Sequence, residues 1–372
     1  MGLSKCKLAE LIELVTETNS ELKYKADDVR GMTITKEIIP TKANVKDIDL
    51  SKFLVVHPHE FIFNPRTHGK KIGFGYNNSE DTFLISWNNI AFRVSSKAKG
   101  RVLAKYLFLH FNRSEWDREA CFRSWGSSTE VFSWDALCEM EVDLPPVDIQ
   151  RKYVAVYNAM LANQQSYERG LEDLKLTCDA YIDKLKHKRT LVEIGDFIQQ
   201  INNKNIDNQK YRFAGLSMDN YFIDSIADDT ELDFTKYKIV EPNEYGAVLM
   251  KVGRDARLTI ARNTSNERYL ISPAYYTFRI TGIMPEYFMA CVNRPEFERR
   301  GWFSCDTSAR GSLSWGEFMK LKIPNATDEE QSIISELYKV QVIRIGINEK
   351  LKTQIKDLCP ILIKGSIEEA SR

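Results

Sequence analysis

The chain has 372 residues, 43% of them hydrophobic and 11% aromatic, with Lys+Arg and Asp+Glu balanced at 52 each. That length holds two or three domains with cores of their own, the apolar content excludes a disordered chain, and the zero net charge excludes a surface that is basic throughout. No apolar run approaches the roughly eighteen residues that suggest a membrane span; there is no signal-peptide h-region, Cys6 stands where a myristoylation motif needs Ser or Thr, and the expected compartment is the cytoplasm.

Residues 1–147 read as a first globule. Leu8, Leu11, Leu14 and Val15 space out a short amphipathic opening segment. Phe53 to Phe61, FLVVHPHEF, predicts a strand, a proline turn and a second strand. His57, His59 and His68 are candidate metal ligands by type, but no cysteine lies nearby, so a turn with exposed histidines is expected. Asn64-Pro65-Arg66-Thr67 echoes the N-P-P-aromatic signature of adenine methyltransferases and lacks both its second proline and the aromatic that stacks a flipped base. Gly73-Phe74-Gly75 is the one candidate cofactor turn, and it follows no clear βαβ pattern. With no Walker A or paired nuclease motif either, the chain is expected to carry no chemistry and to bind no metal or cofactor. Tyr106 to Arg113 reads as helical, and between Arg93 and Arg123 eight basic residues face three acidic ones, a local patch despite the neutral total. The seven cysteines form no C-x-x-C pair and read as reduced core thiols.

Residues 148–188 form the first long helix. Tyr157, Met160, Gln164, Tyr167, Leu171, Leu174, Cys178, Tyr181 and Leu185 alternate by three and four, a coiled-coil seam with one polar slot at Gln164. Pro145-Pro146 precedes it and Asp148 is the expected N-cap. Residues 189–326 are a second globule and 327–372 a second helix and tail. There Thr327 and Glu330 make a capping box, Ile333, Leu337, Val340, Ile347, Leu351 and Leu358 continue the alternation with Arg344 and Gln354 in the polar slots, and Pro360 is expected to end the helix. Each stripe needs a partner, and the connectivity predicts that the two helices pair antiparallel.

The globules repeat each other. Leu8, Leu11, Leu14 and Val15 match Leu191, Ile194, Phe197 and Ile198; Phe53–Phe61 matches Tyr237–Tyr245; Leu84-Ile85-Ser86 and Phe92-Arg93 match Leu270-Ile271-Ser272 and Phe278-Arg279. Tyr106–Arg113 matches Tyr287–Arg294, and Phe122, Ser127 and Ser133-Trp134 match Phe303, Ser308 and Ser314-Trp315. Leu144-Pro145 before Gln150 and Ile323-Pro324 before Gln331 lead into the two helices alike. The expected class is α+β: two similar globular α/β domains separated by an antiparallel two-helix coiled coil, an internal repeat with approximate two-fold symmetry. Such symmetry suits duplex DNA, whose backbone has a dyad at every base pair. Trp134, Trp315, Tyr106 and Tyr287, repeated in both halves, are expected in the core.

These two repeats, the two proline-to-glutamine lead-ins, and the loops Ser127-Ser-Thr-Glu-Val-Phe-Ser-Trp134 and Thr307-Ser-Ala-Arg-Gly-Ser-Leu-Ser-Trp315 together resemble the specificity (S) subunit of type I restriction-modification systems over nearly the whole chain. The second loop is the closer match; the first has Glu130 where a basic or polar residue is commoner. The resemblance implies two target recognition domains, each reading half of a bipartite DNA sequence, and a helix pair that fixes the unread bases between the halves. It also implies two modification subunits that methylate adenine with S-adenosylmethionine, joined by restriction/translocase subunits, and a non-catalytic S chain.

Base readout in the major groove needs bidentate Arg, Asn or Gln, while phosphate contacts need only charge and donors. After each proline turn come such residues: Asn64, Arg66, Lys70 and Lys71 in the first half, Lys251, Arg254, Arg257 and Arg262 in the second. They fall at corresponding places and share almost no residues, as two readers of different half-sites would; the bland alternative is solvated surface charge. Ser127, Ser128, Thr307, Ser308 and Arg310 are expected to donate to phosphate. Two other functions stay open: a coiled-coil scaffold with protein-binding globules, which the zero net charge supports, and a solitary DNA methyltransferase, which the missing motifs weaken.

Overall fold

The structure, a computed structural model, describes residues 2–45, 47–68, 71–125, 130–225, 233–250, 252, 257–306 and 311–372. It divides into two compact units, Met1–Ser166 with Asn348–Arg372, and Tyr167–Ile347.

In the first unit β1 (Ser4–Lys7) and β2 (Ile12–Val15) flank a 3₁₀ turn at Leu8–Glu10, where an amphipathic segment was expected. A hairpin of β3 (Arg30–Met32) and β4 (Ile38–Pro40) follows, then β5 (Leu54–Val56), β6 (Phe61–His68), β7 (Lys71–Tyr76), β8 (Phe83–Ile85) and β9 (Ile90–Val94). The main sheet is antiparallel in the order β2-β9-β6-β7. Its side chains alternate between faces. Phe61, Phe63, Phe74 and Phe92 pack with α1 (Ala104–Phe111) and α2 (Ser114–Phe122), while Ile62 and Ala91 meet Val56, Phe83 and Ile85 behind. Both faces are therefore buried. The β3–β4 hairpin is pinned by Lys36, whose Nζ donates to Phe111 O at 2.6 Å and to Asp117 Oδ2 at 3.0 Å. Burial pushes the Lys36 ammonium down and the Asp117 carboxyl up, and their mutual attraction opposes both shifts. After α3 (Trp134–Cys138), β10 (Glu141–Leu144) pairs with β1 and leads into α4 (Val147–Lys188).

The second unit repeats this plan. β11 (Leu191–Glu193), a 3₁₀ turn and β12 (Ile198–Ile201) open it, followed by β13 (Arg212–Leu216), β14 (Phe222–Asp224), β15 (Lys238–Val240), β16 (Tyr245–Val248), β17 (Thr259–Arg262), β18 (Tyr269–Ile271) and β19 (Tyr276–Ile280). Its main sheet runs β12-β19-β16-β17, strand for strand the order of the first. Even ring geometry recurs: Phe61 stacks on Phe92 at 4.9 Å and 12°, and Tyr245 on Phe278 at 5.0 Å and 13°. α5 (Pro285–Val292), α6 (Pro295–Phe303), α7 (Trp315–Met319) and β20 (Lys322–Pro324) precede α8 (Asp328–Ala370). One alignment changes. The amides of Leu8 and Ile194 donate to Met140 O and Leu321 O at 2.9 and 2.8 Å, so Leu8 corresponds to Ile194 and not to Leu191. Tyr106 and Tyr287 are buried, and Trp134 and Trp315 pack against the cores half-exposed.

Within each unit the segments of α4 and α8 run antiparallel. Lys152 pairs with Glu369 and Gln164 with Asn348 in the first unit, Arg189 with Glu330 in the second. The α4 stripe is the expected one: Tyr157, Gln164, Cys178 and Leu185 are buried. On α8 the stripe is turned by one residue. Ile334, Asn348, Ile355, Cys359 and Leu362 are buried, whereas Ile333, Val340 and Ile347 are 43%, 41% and 38% exposed. The polar slot of α8 is Asn348, set by the donor opposite: Gln164 Nε2 donates to Asn348 Oδ1 at 3.0 Å. Pro360 does not end α8. Cys359, Leu362 and Ile363 bury into the first core and Ser366 bonds Tyr106 at 2.7 Å, which offsets the roughly 3 kcal/mol that proline costs inside a helix. Asp148 sits in the first turn of α4, paired with Arg151 at 2.7 Å, and is not its N-cap. The Thr327–Glu330 capping box forms as expected.

Candidate nucleic-acid interface

Each half pairs two strands of its main sheet as a hairpin, β6–β7 or β16–β17, and leads into a short helix, α3 or α7. Pro65 has no N–H for a ladder, and the β6–β7 register shifts between Phe63 and Thr67. At this bulge Arg66 is exposed, and its side chain makes no ion pair among the described residues. Its amide donates to Asn64 Oδ1 at 2.9 Å, which orients the Asn64 carboxamide. Arg66 also bridges Val131, and Val131 and Trp125 exchange both backbone hydrogen bonds at 2.9 and 3.2 Å. Phe132 N–H then donates to Pro65 O at 2.8 Å. The strand with Asn64 and Arg66 is thereby tied to Trp125, Val131 and Phe132.

The second half repeats the tie. Leu313 N–H donates to Leu249 O at 2.9 Å and Asp306 N–H to Ser312 O at 3.0 Å. Leu313 and Leu249 are the repeat counterparts of Phe132 and Pro65. Ser133 and Ser314 then cap α3 and α7, each accepting from a backbone amide at 3.1 Å.

Lys71 is exposed at the start of β7, and its charge acts on Asp117, lowering that carboxyl against the burial that raises it. Arg257 is exposed and lies 3.3 Å from Glu298, the counterpart of Asp117. Arg262 ends β17 with its guanidinium engaged, donating to Glu286 Oε1 and to Asn243 Oδ1 at 2.8 Å each. The repeat explains why. Arg262 occupies the place of Tyr76 and Glu286 the place of Lys105, so an ion pair replaces a lysine over a tyrosine ring at 5.5 Å; burial pushes Lys105 down to about 8. Lys70, Ser127, Ser128, Lys251, Arg254, Thr307, Ser308 and Arg310 lie outside the described residues.

Sequence reasoning missed the groups that aim each hairpin. Buried Glu60 accepts from His57 N at 2.8 Å, and buried Glu244 from Glu241 N at 3.0 Å. His59 and Asn243, both at φ 67°, donate their amides to Asn77 O and Asn263 O at 2.8 Å each. The side chains of Asn77 and Asn263 in turn hold Ser79 and Ser265. The signal was present: Asn-x-Ser recurs in both halves at the end of the second hairpin strand. The histidines are used locally, His57 on Glu17 at 2.9 Å and His59 on Tyr76 at 3.1 Å, and no group of three metal-ligating side chains occurs among the described residues. The side chain of His68 lies outside them.

No family model matches this sequence, and no curated protein matches it. Among solved structures, the S subunit of the type I restriction-modification system from M. genitalium aligns over 98% of this chain and 96% of its own, at 11% identity with a TM-score of 0.53. The fold is that of a type I S subunit. The HsdS subunit from Thermoanaerobacter tengcongensis aligns over 98% of this chain and 96% of its own, at 13% identity and TM-score 0.37. A chain from a structure of complex assembly and conformational transition of the type I R-M system covers 100% and 98%, at 12% identity and TM-score 0.41. Within this S-subunit fold the Gly73–Gly75 pair lies inside strand β7 and forms no cofactor turn. A Cβ on Gly75 would come within 2.7 Å of Ile38, so glycine there admits the β3–β4 hairpin. Among the described residues no helix is long and apolar enough to cross a membrane.

Proposed function

We propose that this chain is the DNA-specificity subunit of a type I restriction-modification complex. Residues 1–147 and 189–326 each read one half of a bipartite target, and residues 148–188 with 327–372 set the gap and recruit two adenine methyltransferase subunits. S-adenosylmethionine is held by those subunits, restriction subunits join them, and this chain supplies recognition only. Asn64, Arg66, Lys70, Lys71, Lys251, Arg254 and Arg257 are the proposed readers, Arg262 orients the second hairpin beside them, and Ser127, Ser128, Thr307, Ser308 and Arg310 bind phosphate.

One observation carries this reading: both halves tie hairpin to loop by the same backbone hydrogen bond, Phe132 to Pro65 and Leu313 to Leu249, while the residues on the loops differ. An open groove lined by Leu174, Ile333, Leu337 and Val340, with Ile343 62% exposed beyond it, supports helix-mediated recruitment. The test is a footprint of the complex with the methyltransferase subunits. Two protected half-sites are expected, with affinity falling steeply as salt rises; exchanging one globule should change one half-site only, and lengthening both helices should change the gap. A single contiguous protected site overturns it. The scaffold reading draws on the same apolar face and the zero net charge, and a gel shift without DNA affinity even with methyltransferase present would favour it.

A further inference from the structure

α2 and α6 end alike. Phe122 is 87% exposed and Phe303 86%, the two most exposed large hydrophobic side chains among the described residues. Four residues before each ring stands an exposed arginine, Arg118 or Arg299, and the i,i+4 spacing puts arginine and ring on one helix face. The opposite face, Trp116 with Ala120 and Phe297 with Gly301, is buried, so its apolar character follows from packing. Packing does not account for the outer face. Between the two copies Glu119 has become Arg300, Cys121 Trp302, Arg123 Ser304 and the exposed Trp125 Asp306, yet Arg118–Phe122 and Arg299–Phe303 are unchanged.

We infer that these Arg–Phe pairs are docking knobs for the methyltransferase subunit, one knob for each of its two copies, the ring entering an apolar pocket whose rim presents a carboxylate to the arginine. The inference rests on the proposed function and names a contact away from the helix pair. Residues that face different half-sites diverge, as the hairpin tips do under the proposed function; residues that face two copies of one protein are held the same. The chemistry agrees. A phenyl ring has nothing to donate to phosphate, whereas exposed aromatic rings beside arginine are what protein interfaces bury at their centres. The charge is also available: Arg299 has no ion pair among the described residues, and Arg118 only a 3.7 Å contact with Glu115 at the surface.

The test uses the full chain and the purified adenine methyltransferase subunit of the same host's type I system. Phe122→Ser, Phe303→Ser, Arg118→Glu and Arg299→Glu lie on the exposed face, and unchanged circular dichroism and melting would show that they fold. Native mass spectrometry is expected to give two methyltransferase copies on the wild type, with affinity for one copy weakened at least tenfold in each single variant and for both in Phe122→Ser/Phe303→Ser. Affinity of the chain alone for target DNA should stay within twofold. Full assembly by the double variant overturns the knobs and leaves the specificity-subunit reading standing. So does full assembly with lost DNA affinity, which would assign the rings to the duplex. A wild type that takes up no methyltransferase overturns both.

Discussion

Gln150 is fully buried at the start of α4 and spends its whole carboxamide on backbone, donating from Nε2 to Arg101 O at 2.9 Å and Pro145 O at 2.7 Å and accepting from Leu103 N at 3.0 Å. It ties the helix to its own globule. Gln150→Ala removes three buried hydrogen bonds at about 1 kcal/mol each and adds a small cavity, so a loss of about 3–4 kcal/mol is expected. The equivalent Gln331 makes two such bonds, with Met284 N at 2.9 Å and Ala326 O at 3.0 Å, and Gln331→Ala should cost about 1 kcal/mol less. Gln150→Glu separates bonding from packing. It is the same shape, but an ionised carboxylate faces two carbonyl oxygens. The folded state should therefore raise that carboxyl above the ordinary value of about 4.3; below pH 4 the protonated acid, with one O–H, keeps one of the two donations and should cost about 1 kcal/mol, and the loss should grow as pH rises. Urea titrations at pH 4 and pH 7, with hydrogen exchange at the Leu103 amide, measure this. If Gln150→Glu is as stable as the wild type at pH 7, or its deficit does not depend on pH, the tie does not work through these bonds.

Gln164 and Asn348 should be coupled: a double-mutant cycle to leucine is expected to give about 1–2 kcal/mol between them, and a value near zero would mean that the pair does not set the register of α4 on α8. Pro360→Ala should raise the melting temperature, by an energy of up to about 3 kcal/mol, because the helix already runs through that position; a lower melting temperature would show that the proline shapes the packing of Cys359 and Leu362. The Arg189 guanidinium, the Thr327 amide and Lys188 hold Glu330 at about 2. A depressed carboxyl stabilises the fold above its unfolded value of about 4.3 and loses that contribution as pH falls towards 2. Unfolding midpoints should therefore drop over that window, and Glu330→Gln should flatten the drop; an unchanged slope would refute the assignment.

The long helices, their antiparallel pairing and the doubled globule were legible because heptad spacing and paired landmarks such as Gln150 and Gln331 are local signals. The face of α8 was not. Ile333, Val340 and Ile347 offer an apolar stripe as good as the buried one, and the choice comes from tertiary contacts, Gln164 on Asn348 and the globule cores on Ile334, Ile355 and Cys359. Pro360 reads as a stop because the burial that overrides it comes from distant residues. In the candidate interface, Asn64 and Arg66 were singled out by residue type alone. That they lie beside the loop before α3 depends on backbone bonds, which leave no mark on residue identity. Arg262 was readable in principle, since the repeat sets it against Tyr76, a core position in the other copy.

The bond between Phe132 and Pro65, like that between Leu313 and Leu249, uses main-chain atoms only, so it is blind to which side chains the two segments carry. New residues at the hairpin tips can arise by mutation or recombination without renegotiating the framework that presents them. Under the proposed function, a lineage that must change its recognition sequence does so by exchanging short cassettes, each inherited with its mounting intact.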